Sequence, residues 1–324
     1  MNGLMDQICE LGQIDAMANC RIEHGKKTYL VGQGRSPRVE PRGEVTIRTP
    51  FQIGSVSKLL TACIVLILEK KGVLSLQTTI SDAFGNCWGE CSGIALCELL
   101  THRSGIRGAN GYKGVCSIMS SDEAFGTIEN EIRLSYKDIY RGLYAYCGTN
   151  FRIIQAILEK LVGCEFEEIL QRFLCEPLEM KATSADVRKL VEYEPVKGYS
   201  IHEGLMKSRW NHFPGCEAAA GIWASVEDLG NLMSYLLEDK MVGESGSNHD
   251  ISWKDLVSTM PTGRYRNGCF VVETMESLKV GHTGRNPGYQ ASFWLKPKER
   301  TAAATLWNSD RPNKHIHLMS FNQL

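Results

Sequence analysis

No stretch of this sequence is apolar enough for long enough to cross a bilayer as a helix. Its longest apolar run, Leu59 to Leu68 with Thr61 inside it, falls far short of the roughly 20 residues a spanning helix needs, so an integral membrane protein is not expected. An excess of charge is missing too: Lys and Arg number 36 against 37 Asp and Glu, a formal net charge of -1, and no nucleic-acid partner is expected. Met1 to Gly12 carries Asp6 and Glu10 and has neither a basic start nor a long apolar stretch. No secretory leader is legible there, and a cytoplasmic location is the expectation. The 12 cysteines are then read as reduced thiols.

Metal-ligand spacing is also lacking. Cys87, Cys91 and Cys97 contain no paired Cys-x-x-Cys, and His315 and His317 have no third ligand nearby, so no metal is expected. There is no glycine-rich phosphate loop and no Gly-x-Ser-x-Gly, which leaves no expected cofactor and excludes the nucleophile elbow of an α/β-hydrolase. What remains is an ordinary globular composition, 43% hydrophobic and 23% charged, with material for a large core.

Cys20 to Leu30 reads as a hairpin turning at Gly25 and Lys26, followed by a surface loop from Arg35 to Thr49. Ser55 to Lys71 is the most legible helix: Leu59, Leu60, Cys63, Ile64, Leu66, Ile67 and Leu68 leave almost no polar face, and Gly72 stands where a C-terminal cap belongs. From Ser92 to Leu190 the pattern is mainly helical, clearest at Phe151 to Leu161 and Glu165 to Leu174. Short β-prone runs return at Cys269 to Val272, Ser277 to Val280, Ala291 to Leu295 and Thr301 to Leu306. Strands at both ends with helices between predict an α/β (α+β) chain: a sheet lobe from residues 1–82 and 220–324, flanked by helices, and a mainly helical lobe at 83–219.

Within the apolar helix, Ser55, Ser57 and Lys58 form a polar cluster at its start. Ser55 and Lys58 are three apart, so their side chains point the same way, and a lysine kept partly neutral by burial can deprotonate a serine. The N-H groups of a helix start can hold negative charge on an acyl intermediate. The same residues could equally be caps, since Ser-x-x-Lys is common by chance.

Six segments, in order, resemble the serine β-lactamase and penicillin-binding-protein superfamily, in the branch of class C β-lactamases, D-amino-acid peptidases, esterases and transesterases. They are Phe51 to Lys58, Glu69 to Leu76, Leu99 to Ile106, Glu176 to Lys181, Ala219 to Ser225 and Gly281 to Gly288. The resemblance implies a β-lactamase/transpeptidase-like fold with an antiparallel sheet, Ser55 as acylated nucleophile and Lys58 as its base or proton relay. It places Tyr146 in the second motif as general base or acid, but Gly148 stands where relatives have an asparagine, and Asn150, two residues on, is the nearest amide that could take that place. It maps His282, Thr283 and Gly284 to the third motif on a strand lining the substrate cleft, with the Arg285 N-H joining that of Ser55 in an oxyanion hole. The Arg285 side chain either fences the cleft or pairs with a substrate carboxylate.

His102 and Ser57 are expected to be structural, Trp223 and Tyr289 to be cleft walls or core, and nothing pairs Cys147 with a base. Gly108 to Ser121 and Ser200 to Pro214 are expected to shape the pocket. The implied function is a serine hydrolase or acyltransferase acting on an ester, thioester or amide of a small metabolite. A D-amino-acid peptidase or weak β-lactamase shares the machinery, and a non-catalytic scaffold or covalent ligand sensor is the alternative of another class. A small-molecule acyl substrate is the expected partner, with oligomeric state left open.

Overall fold

The computed structural model describes residues 6–7, 9–10, 14–33, 44–107, 135–202, 205–209, 214–238, 251–258 and 263–309. Its strands are β1 (Ala16–Glu23), β2 (Lys26–Gln33), β3 (Phe51–Gln52), β4 (Ser104–Ile106), β5 (Tyr136–Arg141), β6 (Gly198–His202), β7 (Leu205–Arg209), β8 (Trp223–Ala224), β9 (Tyr265–Arg266), β10 (Cys269–Glu273), β11 (Leu278–Asn286), β12 (Tyr289–Lys296) and β13 (Thr301–Trp307). The three longest described helices are α1 (Ser57–Lys70), α2 (Gly148–Val162) and α3 (Val226–Leu237).

One antiparallel sheet runs β2-β1-β13-β12-β11-β10-β9, so the first and last strands lie side by side within it, where Met17 pairs with Trp307. The first hairpin turns at His24 and Gly25, one residue earlier than the sequence pattern places it. Both have positive φ (50° and 77°), the geometry of a two-residue turn that continues the strand twist, and Glu23 pairs with Lys26. Alternation sorts β1 onto two faces: Ala16, Ala18, Cys20 and Ile22 enter the main core, while Met17 packs with Cys9, Ile14 and Trp307 on the other side.

Small residues on the core face let α3 sit close against the sheet. A Cβ on Gly230 would come 2.9 Å from Cys20 Sγ, and Ala302 and Ala304 are fully buried. Helix α1 is central, with every residue from Ser57 to Leu68 buried, as its lack of a polar face requires. It stops in a Schellman motif: Gly72 takes φ 69°, its N-H donates to the Glu69 carbonyl, and the Val73 N-H donates to the Leu68 carbonyl.

The stretch expected to be mainly helical holds strands that its sequence pattern hides. β4 pairs with β5, and β6 with β7; β4 is too short for alternation to register, and most of β5 faces outward. The expected pocket loop Gly108 to Ser121 lies outside the described residues, and of Ser200 to Pro214 the backbone forms parts of β6 and β7. His315 and His317 also fall outside them, as does the Cys87 side chain. Among the described residues no helix is long and apolar enough to cross a membrane.

Candidate active site

Ser55 sits in a single 3-10 turn, Gly54–Val56, that leads into α1. The turn is pressed against β11 through two glycines. Gly54 has φ 52°, and a Cβ there would lie 2.7 Å from the Arg285 nitrogen; one on Gly284 would lie 3.1 Å from the Ser55 nitrogen and would run into the Ile53 carbonyl. The N-H groups of Ser55 and Arg285 are thus carried on two backbones in direct contact. As an early N-H of a helical turn, that of Ser55 has no intrahelical acceptor.

Lys58 is 1% exposed and makes two polar contacts: its Nζ lies 3.2 Å from Ser55 Oγ and donates to the Ala219 carbonyl at 2.6 Å. Burial disfavours the ammonium and brings its pKa down from 10.5 to about 7. The Ala219 carbonyl belongs to a π-helical turn, Glu217–Gly221, three of whose carbonyls accept from side chains of α1 and β11. Ala218 accepts from Thr61 Oγ1 at 2.9 Å and Ala220 from Asn286 Nδ2 at 2.8 Å. Ser57 closes the clamp by accepting from the Ile222 N-H at 3.2 Å, a structural role.

Tyr146 precedes α2, shares a side-chain hydrogen bond with Ser55, and has its ring centroid 5.3 Å from Lys58 Nζ. The residue is 37% exposed along the cleft, but burial around its hydroxyl raises the pKa to about 12, partly countered by the Ser55 hydrogen bond. At neutral pH it is therefore a phenol, and Lys58 is the group poised to exchange a proton.

His282 is buried and neutral. Its Nδ1 lies 2.6 Å from the Thr283 carbonyl, which can only accept, so the proton is assigned to Nδ1 and Nε2 accepts from the Tyr265 hydroxyl at 3.2 Å. Burial, reinforced by Lys58, pushes its pKa down to about 3. Thr283 and Arg285 project from β11 on the exposed side, while His282 and Gly284 are buried.

Asn150 is fully buried, and both ends of its amide are committed below the cleft. Its Oδ1 accepts from Ser104 Oγ at 2.8 Å and its Nδ2 lies 3.0 Å from His102 Nδ1. It does not reach a substrate or replace the amide missing at Gly148; the Ala219 carbonyl is what steadies Lys58. His102, which also receives the Cys147 N-H at 3.3 Å, supports Tyr146 from beneath, with ring centroids 4.4 Å apart. Asn150→Ala should therefore cost about 1–3 kcal/mol by stranding buried partners, read as a lower urea midpoint, while Ser55 stays reactive toward acylating probes. A loss of reactivity with unchanged stability would return Asn150 to the chemistry.

Trp223 and Tyr289 are core: their rings meet at 5.2 Å and the Tyr289 hydroxyl donates to the Val196 carbonyl. The cleft has a volume of about 1070 Å³ and opens between Tyr144 and Tyr146 on one side and Tyr265, Phe270 and β11 on the other. Sequence reasoning missed Tyr265 and Phe270, although Asn267-Gly268 between them is a hairpin signal. That turn packs onto α1: a Cβ on Gly268 would lie 2.6 Å from the Lys58 carbonyl oxygen.

A family model described as Beta-lactamase matches residues 2–320. A D-aminopeptidase of Brucella ovis is 25% identical over 277 residues, covering 82% of this chain and 51% of its own. The chain spans about half the length of the curated relatives it matches. The octameric penicillin-binding protein homologue from Pyrococcus abyssi superposes with a TM-score of 0.78 at 21% identity, over 99% of this chain and 76% of that one. A class C beta lactamase from Rhodobacter sphaeroides gives a TM-score of 0.77 at 18% identity, over 96% and 94%.

Proposed function

The chain belongs to the Beta-lactamase family, and from that premise we propose that it is a serine hydrolase or acyltransferase working through an acyl-enzyme on Ser55. The observation that carries this reading is the buried Lys58, 3.2 Å from Ser55 Oγ with its pKa brought to about 7. Neutral Lys58 takes the Oγ proton as the oxygen attacks a carbonyl carbon, and the displaced π electrons collect on the carbonyl oxygen. The N-H groups of Ser55 and Arg285 hold that oxyanion. Tyr146, a phenol at neutral pH, gives its proton to the departing oxygen, nitrogen or sulfur and regains one from Lys58. Water or another nucleophile then attacks the ester on Ser55 by the reverse sequence.

An ester, thioester or amide of a small metabolite suits this cleft. The D-aminopeptidase relatives make a D-amino-acid peptidase the second reading. Gly148 is the feature that favours a silent scaffold, and the Ala219 carbonyl weakens that argument by holding Lys58 without a side-chain amide.

The test is a fluorophosphonate probe followed by intact-mass and peptide mapping, run beside p-nitrophenyl butyrate turnover. A single adduct on Ser55, with turnover blocked in proportion, is expected. No adduct, or an adduct on another residue with turnover untouched, would overturn the acyl-enzyme.

A further inference from the structure

Beyond the acyl-transfer centre, the cleft wall holds two guanidinium groups that no carboxylate among the described residues neutralises. Arg103 stands just before β4, and Arg264 just before β9. Both line the cleft, and Arg103 reaches the backbone next to Arg264: its Nη2 lies 3.2 Å from where a Cβ on Gly263 would be. Tyr144 and Tyr265, with centroids 6.1 Å apart, stand beside them, and Tyr265 is 5.8 Å from the ring of Tyr146.

Arginines that serve this fold look different. Arg141, on the neighbouring strand, is clamped on both oxygens of Glu98 at 2.7 Å, and Arg188 and Arg48 are paired with Asp186 and Glu227 at 2.7 and 2.8 Å. Among the described residues Arg103 meets no carboxylate: Nη1 donates to the Gly142 carbonyl at 2.6 Å, and its buried Nε has no partner there. Arg264 is exposed and makes no ion pair among the described residues. No Asp or Glu is among the described residues lining the cleft. A half-buried cation without a counter-ion is costly to keep, and a substrate anion would relieve that cost.

We propose that Arg103 and Arg264 form a subsite for an oxyanion, a carboxylate or phosphate carried by the acyl substrate at a distance from its scissile carbonyl. Two guanidinium forks can hold either anion through charge-assisted hydrogen bonds. Tyr144 and Tyr265 cover the apolar spacer that joins the anion to the reacting carbonyl. An amine-bearing substrate would instead meet two cations and, among the described lining residues, no acid, so the subsite separates this chain's preference from that of an aminopeptidase. The proposal takes its reaction from the Ser55 reading, but its binding step does not depend on turnover.

The experiment compares p-nitrophenyl esters that share one chain length: mono-p-nitrophenyl adipate, its neutral methyl ester, and a phosphonate analogue. Wild type should favour an acid over the neutral ester in kcat/KM by about tenfold or more, with the preference shrinking as NaCl rises. Arg264→Gln should reduce that ratio, and Arg264→Glu should invert it. Arg103→Gln, assayed with circular dichroism as a folding check, should act in the same direction. Whichever acid is preferred names the oxyanion. Equal use of acid and neutral esters, or a ratio indifferent to Arg264→Glu, overturns the subsite while leaving the acyl-enzyme standing.

Should no ester turn over, the Ser55 reading fails alone, and calorimetry decides the subsite. The Ser55→Ala protein is titrated with monomethyl adipate and dimethyl adipate. Tighter binding of the acid, lost on adding Arg264→Glu, supports the subsite; equal binding rejects it.

Discussion

Lys58→Met is expected to lower kcat/KM for p-nitrophenyl butyrate by about 10²–10⁴-fold, and to slow fluorophosphonate labelling of Ser55 in parallel. Methionine fills much of the same volume but has no lone pair that can take the Ser55 proton. In the wild type, activity should rise with pH through about 7, as Lys58 becomes neutral, and hold until Tyr146 ionises near 12. The same lysine leaves a signature in stability. Its folded value, about 7, lies below the ordinary 10.5, so between these values the unfolded chain holds a proton that the folded chain has released. Stability contributed by this group must therefore increase as pH climbs from 7 toward 10.5, and its burial penalty is full below 7. Lys58→Met should lose that slope. Stranding the Ala219 carbonyl offsets part of the gain from removing a buried amine, so the slope, not the absolute Tm, is the diagnostic. Melting curves from pH 6 to 10 on both proteins would decide it; parallel Tm-pH profiles, or an active Lys58→Met, would remove Lys58 as the base.

What the sequence makes legible here is what side-chain type and spacing can encode. Leu59 to Leu68 with Gly72 specify a buried helix and its stop, and Ser55 and Lys58 three apart at its start specify a shared direction. The alternating and β-prone runs near the C-terminus mark the sheet, though the strands run longer than the patterns because pairing carries β11 on to Asn286. The acceptor that holds Lys58 had no such mark: Ala219 acts through its carbonyl, which every residue possesses, and only the π-helical turn aims it. Asn150 failed for the complementary reason. Its amide type fits the missing contact, but its place in the first turn of α2 points it down onto Ser104 and His102. His282 is readable as a motif residue, whereas its neutrality comes from burial beside Lys58 and its Nε2 partner, Tyr265, from a hairpin that the spacing around His282 does not reveal.

Gly284→Ala should cost about 10²–10³-fold in kcat, the amount associated with losing one well-aligned oxyanion donor. The reasoning starts from contact, not from chemistry. A methyl group on residue 284 would run into the Ile53 carbonyl and come within 3.1 Å of the Ser55 nitrogen, and neither neighbour is a flexible side-chain end. Backbone must then move, and the backbones available are the nucleophile turn and β11. β11 is held to β12 along this stretch, Gly284 opposite Ala291, and to β10 from Leu278 to Gly281, so the short turn Gly54–Val56 takes up much of the displacement. Moving that turn separates the N-H of Ser55 from that of Arg285 and also lengthens the 3.2 Å contact from Ser55 Oγ to Lys58. Both effects act on acylation, so the burst of p-nitrophenol release should slow along with steady-state turnover, whereas a defect confined to deacylation would leave the burst intact. Gly54→Ala offers an independent approach to the same interface from the other backbone, its added carbon falling 2.7 Å from the Arg285 nitrogen. If both variants fold, by circular dichroism and melting, and acylate at the wild-type rate, the oxyanion is held elsewhere. If both fold and fail in acylation, these two glycines are present because two backbones must touch to put two N-H groups around one oxygen.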